Sequence, residues 1–180
     1  MLGNKKPQQS SAEPHKKNVQ LEAEKDIDLR SSQASNIINK HVITVMGASL
    51  IPIPLFDLVV LSSMQIKMLY KLAKLYDVPF SRNLGKSSIV SLLGGIMPTS
   101  AAMTLSSLAK AVPGLGTATG VITISILGGA TTYAIGSVFM QHFESGGTLL
   151  DFDPKKMREY FSNKLEEGKE IAANLKSSET

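Results

Sequence analysis

The chain has 180 residues, with 19 Lys and Arg against 15 Asp and Glu, a formal charge of +4. That is too mild for a nucleic-acid surface, which needs dense positive charge, and a length of this order fits one domain. The absence of Cys and Trp excludes disulfide scaffolds, thiol catalysis and Cys-based zinc sites. Charged residues are 19% of the chain, below the roughly 25% of soluble domains, and the mean hydropathy is +0.06.

The charges are unevenly placed. Residues 1–86 hold 12 basic and 7 acidic residues and residues 151–180 hold 6 and 7, whereas 87–150 contain only Lys110 and Glu144. In chain order, residues 1–30 read as a polar, disordered N-terminal tail, with helical character emerging from about Val19. Ser31–Leu50 reads as a helix carrying Ile37, Ile38, Val42, Val45 and Met46 on one side. Pro52 and Pro54 break it, because a residue before proline is pushed out of helical geometry.

A second helix is expected over about 54–77, with Pro tolerated at its first turn. Asp57 lies in that first turn, where exposed amides and the helix dipole favour a carboxylate. Leu58, Leu61, Gln65, Met68, Leu72 and Leu75 are spaced as a helix-packing seam. Lys67, Lys71 and Lys74 form a separate stripe, and with Arg82 and Lys86 they are candidate contacts to anionic headgroups, each worth about 1 kcal/mol near the surface. A solvated face is the alternative.

The acid-free blocks 87–109 and 117–143 are each long enough for a bilayer core of about 20 helical residues. Pro113 and Gly114 mark the turn between them. Small residues recur in these blocks, among them Gly95, Gly116, Gly120, Gly128, Thr132 and Gly136, a pattern that lets helices approach closely in lipid. The expected fold is therefore all-α, with a two-helix transmembrane hairpin flanked by amphipathic cytoplasmic helices. Against this, only nine residues of 87–109 are strongly apolar and eight are Ser or Thr. A hairpin buried in a soluble bundle remains the alternative. Flanking lysines put both termini on the cytoplasmic side. The domain plan is then a tail over 1–30, a helical membrane domain over 31–150 and an amphipathic helix and tail over 151–180. Asp153 and Pro154 have the character of a helix start, and Met157, Tyr160, Phe161, Leu165 and Ile171 share one side of the helix beyond.

Little in the chain points to catalysis. Gly85-Lys86-Ser87 has the form of the end of a phosphate loop, but the required first glycine is Phe80. His15, His41 and His142 are too scattered for a metal site, and no nucleophile is paired with a base. No enzyme activity, cofactor or metal is expected.

The run Ile51 to Leu58, followed by Gln65-Ile66-Lys67-Met68 and Leu72-Ala73-Lys74-Leu75-Tyr76, resembles a bacterial family of unknown function. Its members include YcjF-like inner-membrane proteins and domains fused behind Era-like small GTPase modules. The Val112 to Gly116 turn and the span after it match too, so the similarity covers roughly residues 30–147. The resemblance implies a helical bacterial inner-membrane module working beside a small GTPase, with no catalysis of its own. This chain has neither a complete phosphate loop nor an Asn-Lys-x-Asp box, so a GTPase would act in trans. The expected function is a membrane-anchoring or scaffolding module, with the lipid bilayer, a GTPase and further copies of itself as partners and no nucleic acid. An oligomeric pore or membrane-remodelling protein, and a soluble lipid-binding bundle, are the alternatives. Whether 42–66 forms a third span stays open.

Overall fold

The computed structural model describes residues 13–48, 56–96 and 118–177. They form five helices: α1 (Glu13–Ala48), α2 (Phe56–Leu75), α3 (Arg82–Ile96), α4 (Ala118–Glu144) and α5 (Arg158–Ser177). No strand occurs among the described residues.

α1 is longer than the sequence pattern indicates. The tail expected to reach residue 30 is helical from Glu13, since no Gly or Pro lies between Pro14 and Gly47 and the Leu, Glu, Ala and Lys of 21–25 are strong helix formers. Ala34, Ile38, Val42, Val45 and Met46 are buried along one side of it. α2 runs back antiparallel, burying Gln65, Met68, Leu69, Leu72 and Ala73. It ends in a Schellman turn: Val78 N–H donates to Ala73 O at 2.8 Å and Asp77 N–H to Lys74 O at 3.4 Å. Asp77 takes the left-handed position at φ 56°, which Asp tolerates better than most residues. α3 turns back along α2. It begins at Arg82 rather than near 87, and beyond Ile96 the expected first hairpin arm lies outside the described residues.

α4 is the centre of the molecule. Thr132, Ala134, Ile135, Val138 and Phe139 are fully enclosed, and Ser125, Ala130, His142 and Phe143 are buried with them. α1, α2 and α5 all pack against it. Ser125 Oγ donates to Met46 O at 3.0 Å, satisfying one of the carbonyls that α1 leaves open at its last turn. A Cβ on Gly136 would lie 2.7 Å from Ile38 Cγ1, and one on Gly168 of α5 would lie 2.9 Å from the Ala130 carbonyl oxygen. The three helices therefore approach through glycine.

This arrangement corrects the transmembrane hairpin. Residues 125–143, most of the expected second arm, are walled in by α1, whose packed stretch turns Ser32, Gln33, Ser35, Asn36, Asn39 and Lys40 outward, and by the charged α5. No described helix is long and apolar enough to cross a membrane. The physical reason for the ambiguity is that a helix boxed in on several sides needs no charged residue, as a lipid-embedded one needs none.

A second Schellman turn closes α4, with Gly146 N–H donating to Phe143 O and Gly147 N–H to His142 O, both at 2.9 Å. Gly146 has φ +82°, and a side chain on Gly147 would collide with the His142 ring. The connection folds back so that Phe152 stacks on Phe139 at 4.6 Å. Asp153 Oδ1 accepts the Lys155 N–H at 2.9 Å, but it caps a turn at 154–157, and the helix proper starts only at Arg158. α5 then runs antiparallel to α4, burying Phe161, Gly168 and Ala172.

Candidate functional site

The bundle has two unlike ends. Ser125 and Gly129 of α4 meet Met46 near the end of α1, while Tyr76 at the end of α2 donates to Glu144 Oε1 at the end of α4, 2.8 Å away. The first end therefore gathers the C-termini of α1 and α3 and the N-termini of α2 and α4. The two connections between these helix ends, 49–55 and 97–117, lie outside the described residues. Their 28 residues hold one charge, Lys110. The opposite end carries Asp77, Glu144 and Asp151, together with the N-terminal half of α1.

Along the flank joining these ends runs the exposed side of α2. The core faces Gln65, Leu69 and Leu72, so the helical period turns Lys67, Tyr70, Lys71 and Lys74 outward, and all four are exposed. Tyr70 meets Phe80 edge-on at 5.3 Å. Arg82 and Lys86 are exposed on α3. The five candidate headgroup residues thus lie outward on two adjacent antiparallel helices. Gly85 between them is buried, with its Cβ position 3.1 Å from the Phe80 ring and 3.3 Å from Leu69. It serves helix packing in α3.

His41 lies beneath this flank, 7% exposed, its Nδ1 donating to Ile37 O at 2.7 Å. Burial pushes the imidazole below its ordinary pKa. The Ile37 bond opposes that shift, and the Lys71 and Lys67 charges add to it. The seam residue Gln65 is buried with its side-chain nitrogen unpaired.

The remaining candidates separate. Thr132 Oγ1 donates to Gly128 O at 2.8 Å within α4, and Gly136 packs on α1. The Gly128–Gly136 stripe was expected to meet the other hairpin arm, but helix α1 takes that place. Gly95 and Gly120 lie in α3 and α4, their surroundings outside the described residues, as is the Asp57 side chain in the first turn of α2. Pro52, Pro54, Pro113, Gly114 and Gly116 lie outside the described residues altogether.

Sequence spacing did not reveal the long-range polar pairs. Tyr133 Oη donates to Glu167 Oε1 at 2.5 Å, and Lys164 Nζ to Glu167 Oε2 at 2.6 Å, clasping α4 to α5. Burial and the bond to Glu167 raise the Tyr133 pKa, while Lys164 and Tyr133 together hold Glu167 below the usual carboxylate range. Beside the clasp a groove of about 310 Å³ with mixed polar and apolar walls opens between α1 and α5. Asp151 accepts from both the backbone N–H and the hydroxyl of Thr148 at 2.6 Å, which lowers its pKa. These groups all serve local connections. Among the described residues no group of His, Cys, Asp or Glu could hold a metal ion.

The fold and its lysine flank define a small all-helical bundle with one basic side and one charge-poor end. The chain belongs to the family described as a domain of unknown function, DUF697, which matches residues 15–170. It is 40% identical over 149 residues to magnetosome membrane protein 22 of Magnetospirillum gryphiswaldense, covering 82% of this chain and 76% of that protein. No solved structure matches it.

Proposed function

We propose that the protein is a non-enzymatic, membrane-associated helical scaffold that rests on anionic lipid through the α2–α3 flank. The observation that carries this reading is the exposed side of α2, where Lys67, Lys71 and Lys74 follow one another with Tyr70 among them and no acid. Lysine ammoniums at that spacing can reach phosphate headgroups while the aromatic ring sits at the interface. The magnetosome membrane protein supports the reading as a relative with a membrane location in its name. The resemblance to bacterial inner-membrane proteins supports placement at that membrane. A pore built from the expected hairpin is disfavoured, because residues 125–143 are spent on the bundle core.

The likeness to domains fused behind small GTPases supports a GTPase in trans as the scaffold's client. Crosslinking in cells that recovers no GTP-binding chain removes that client from the proposal.

The lipid contact is tested by flotation of the purified full chain with vesicles. Replacing Lys67, Lys71 and Lys74 by Gln lowers binding to anionic vesicles about 100-fold, at about 1 kcal/mol per cation, and leaves binding to neutral vesicles unchanged. Equal binding of both proteins to anionic vesicles overturns the flank as the contact.

A further inference from the structure

His41 of α1 and the lysines of α2 meet at a seam that holds no acid. On α1 no Asp or Glu follows Asp28, and on α2 none lies between Asp57 and Asp77. α4, the other helix packed on this part of α1, brings no charged side chain between Ala118 and Gln141, and its Tyr133 is turned to Glu167 of α5. Lys40, next to His41 in the chain, is exposed. The charges that act on the imidazole are those of Lys71 and Lys67, one turn apart on the same face of α2. Neither lysine has an ion pair among the described residues. His41 Nδ1 is committed to the Ile37 carbonyl, which leaves Nε2 without a protein partner. Among the described residues the enclosed side-chain polar atom without a partner is the Gln65 nitrogen, so Nε2 opens to the surface.

We propose that His41 Nε2 and the ammoniums of Lys67 and Lys71 form a phosphate site across the α1–α2 seam, which takes up the anion together with a proton from solvent. The site rests on the lipid reading of the flank for the source of its phosphate, a headgroup. With Nδ1–H bonded to a carbonyl, the neutral ring presents only a lone pair at Nε2, which repels an anion's oxygen. Once Nε2 takes a proton, both nitrogens donate, Nδ1 to Ile37 and Nε2 outward. A phosphate has enough oxygens to accept from the imidazolium and both ammoniums at once, and such charge-assisted bonds are the strong ones. Its negative charge also offsets the repulsion among three cations that otherwise keeps the ring neutral. Phosphate binding and His41 protonation therefore favour each other.

The purified full chain is floated with vesicles of phosphatidylcholine and phosphatidylglycerol, whose diester charge stays constant from pH 7.5 to 5.5. Binding of the parent chain tightens over that range by up to about fivefold, the worth of one added cation at the surface. His41→Gln matches the parent at pH 7.5, where the ring is neutral, and lacks the gain at pH 5.5. His15 and His142 are common to both proteins, so the difference belongs to His41. In the unsubstituted chain, proton NMR shows His41 titrating at higher pH when short-chain phosphatidylglycerol is added. The same movement with inorganic phosphate upholds the site for the free anion too, and movement with lipid alone upholds it for the headgroup. An equal pH dependence in parent and His41→Gln, with binding still lost in the lysine variant, overturns the phosphate site and leaves the flank contact standing. A His41 titration that moves with neither additive overturns it as well. A parent chain that floats at no pH removes the lipid reading; movement with inorganic phosphate then upholds the site, and none overturns it.

Discussion

His41 links the core to the lysine flank through one proton. Its folded pKa lies below the ordinary 6.5, chiefly because burial disfavours the imidazolium, with Lys71 and Lys67 contributing repulsion. The unfolded chain therefore binds more protons than the folded one just below that value, so stability rises with pH there. The contribution of His41 is present above about pH 6.5 and is lost as pH falls toward the depressed folded value. Urea unfolding from pH 7.5 to 5.5 should show the parent chain weakening more than His41→Gln. The imidazole pKa, read by proton NMR, rises in Lys71→Gln because one neighbouring charge is gone. An imidazole titrating at or above 6.5 in the parent chain contradicts the buried placement of this side chain.

Glycine acts differently from helix to helix. Gly168 faces the backbone of α4, with its Cβ position 2.9 Å from Ala130 O and 3.0 Å from Ala130 Cα, whereas Gly94 on α3 has nothing within 4 Å. Gly168→Ala must therefore push α5 off α4, an overpacking cost of about 1–3 kcal/mol that exceeds the gain of about 1 kcal/mol in helix propensity. Gly94→Ala meets no obstacle and keeps that gain. The same substitution should thus lower the thermal midpoint at 168 and raise or preserve it at 94, and effects of equal sign would refute the close α4–α5 approach. The helices themselves were legible in the sequence. Ile38, Val42, Val45, Met68 and Leu72 fall on the buried sides that their periodicity marks, and Lys67, Lys71 and Lys74 fall outside. The setting of α4 was not legible. Gly128, Thr132 and Gly136 satisfy close packing in lipid and in a protein core alike, and nothing in their spacing names Ile38 as the neighbour. The discriminating fact, polar-faced α1 and charged α5 on either side of α4, exists only in the assembled bundle. The overhang of α1 escaped for the opposite reason: its mixed charge gives a weak apolar pattern, yet a helix nucleated downstream extends through good helix formers without tertiary support.

At the scale of the molecule, two orientations on a membrane are geometrically distinct. Lys74 stands about 27 Å along α2 from the end at which α2 and α4 begin, several times the screening length of about 8 Å at physiological salt. A bundle standing on that end would hold Lys74 and Arg82 beyond the reach of headgroups. A bundle lying on its α2–α3 flank brings the lysines to the bilayer, and this is the orientation the proposed function requires. Replacing 97–117 by a Gly/Ser linker separates the two, because α3 ends and α4 begins at the same end of the bundle and a flexible chain can join them. The side-on arrangement expects a variant that keeps its thermal unfolding and its salt-sensitive binding to anionic vesicles, while losing resistance to alkaline carbonate extraction. Loss of both kinds of attachment would mean that the bundle stands on its charge-poor end and that the lysine flank faces water. Carbonate resistance that persists would place the apolar anchor in the described helices, against the enclosure of α4.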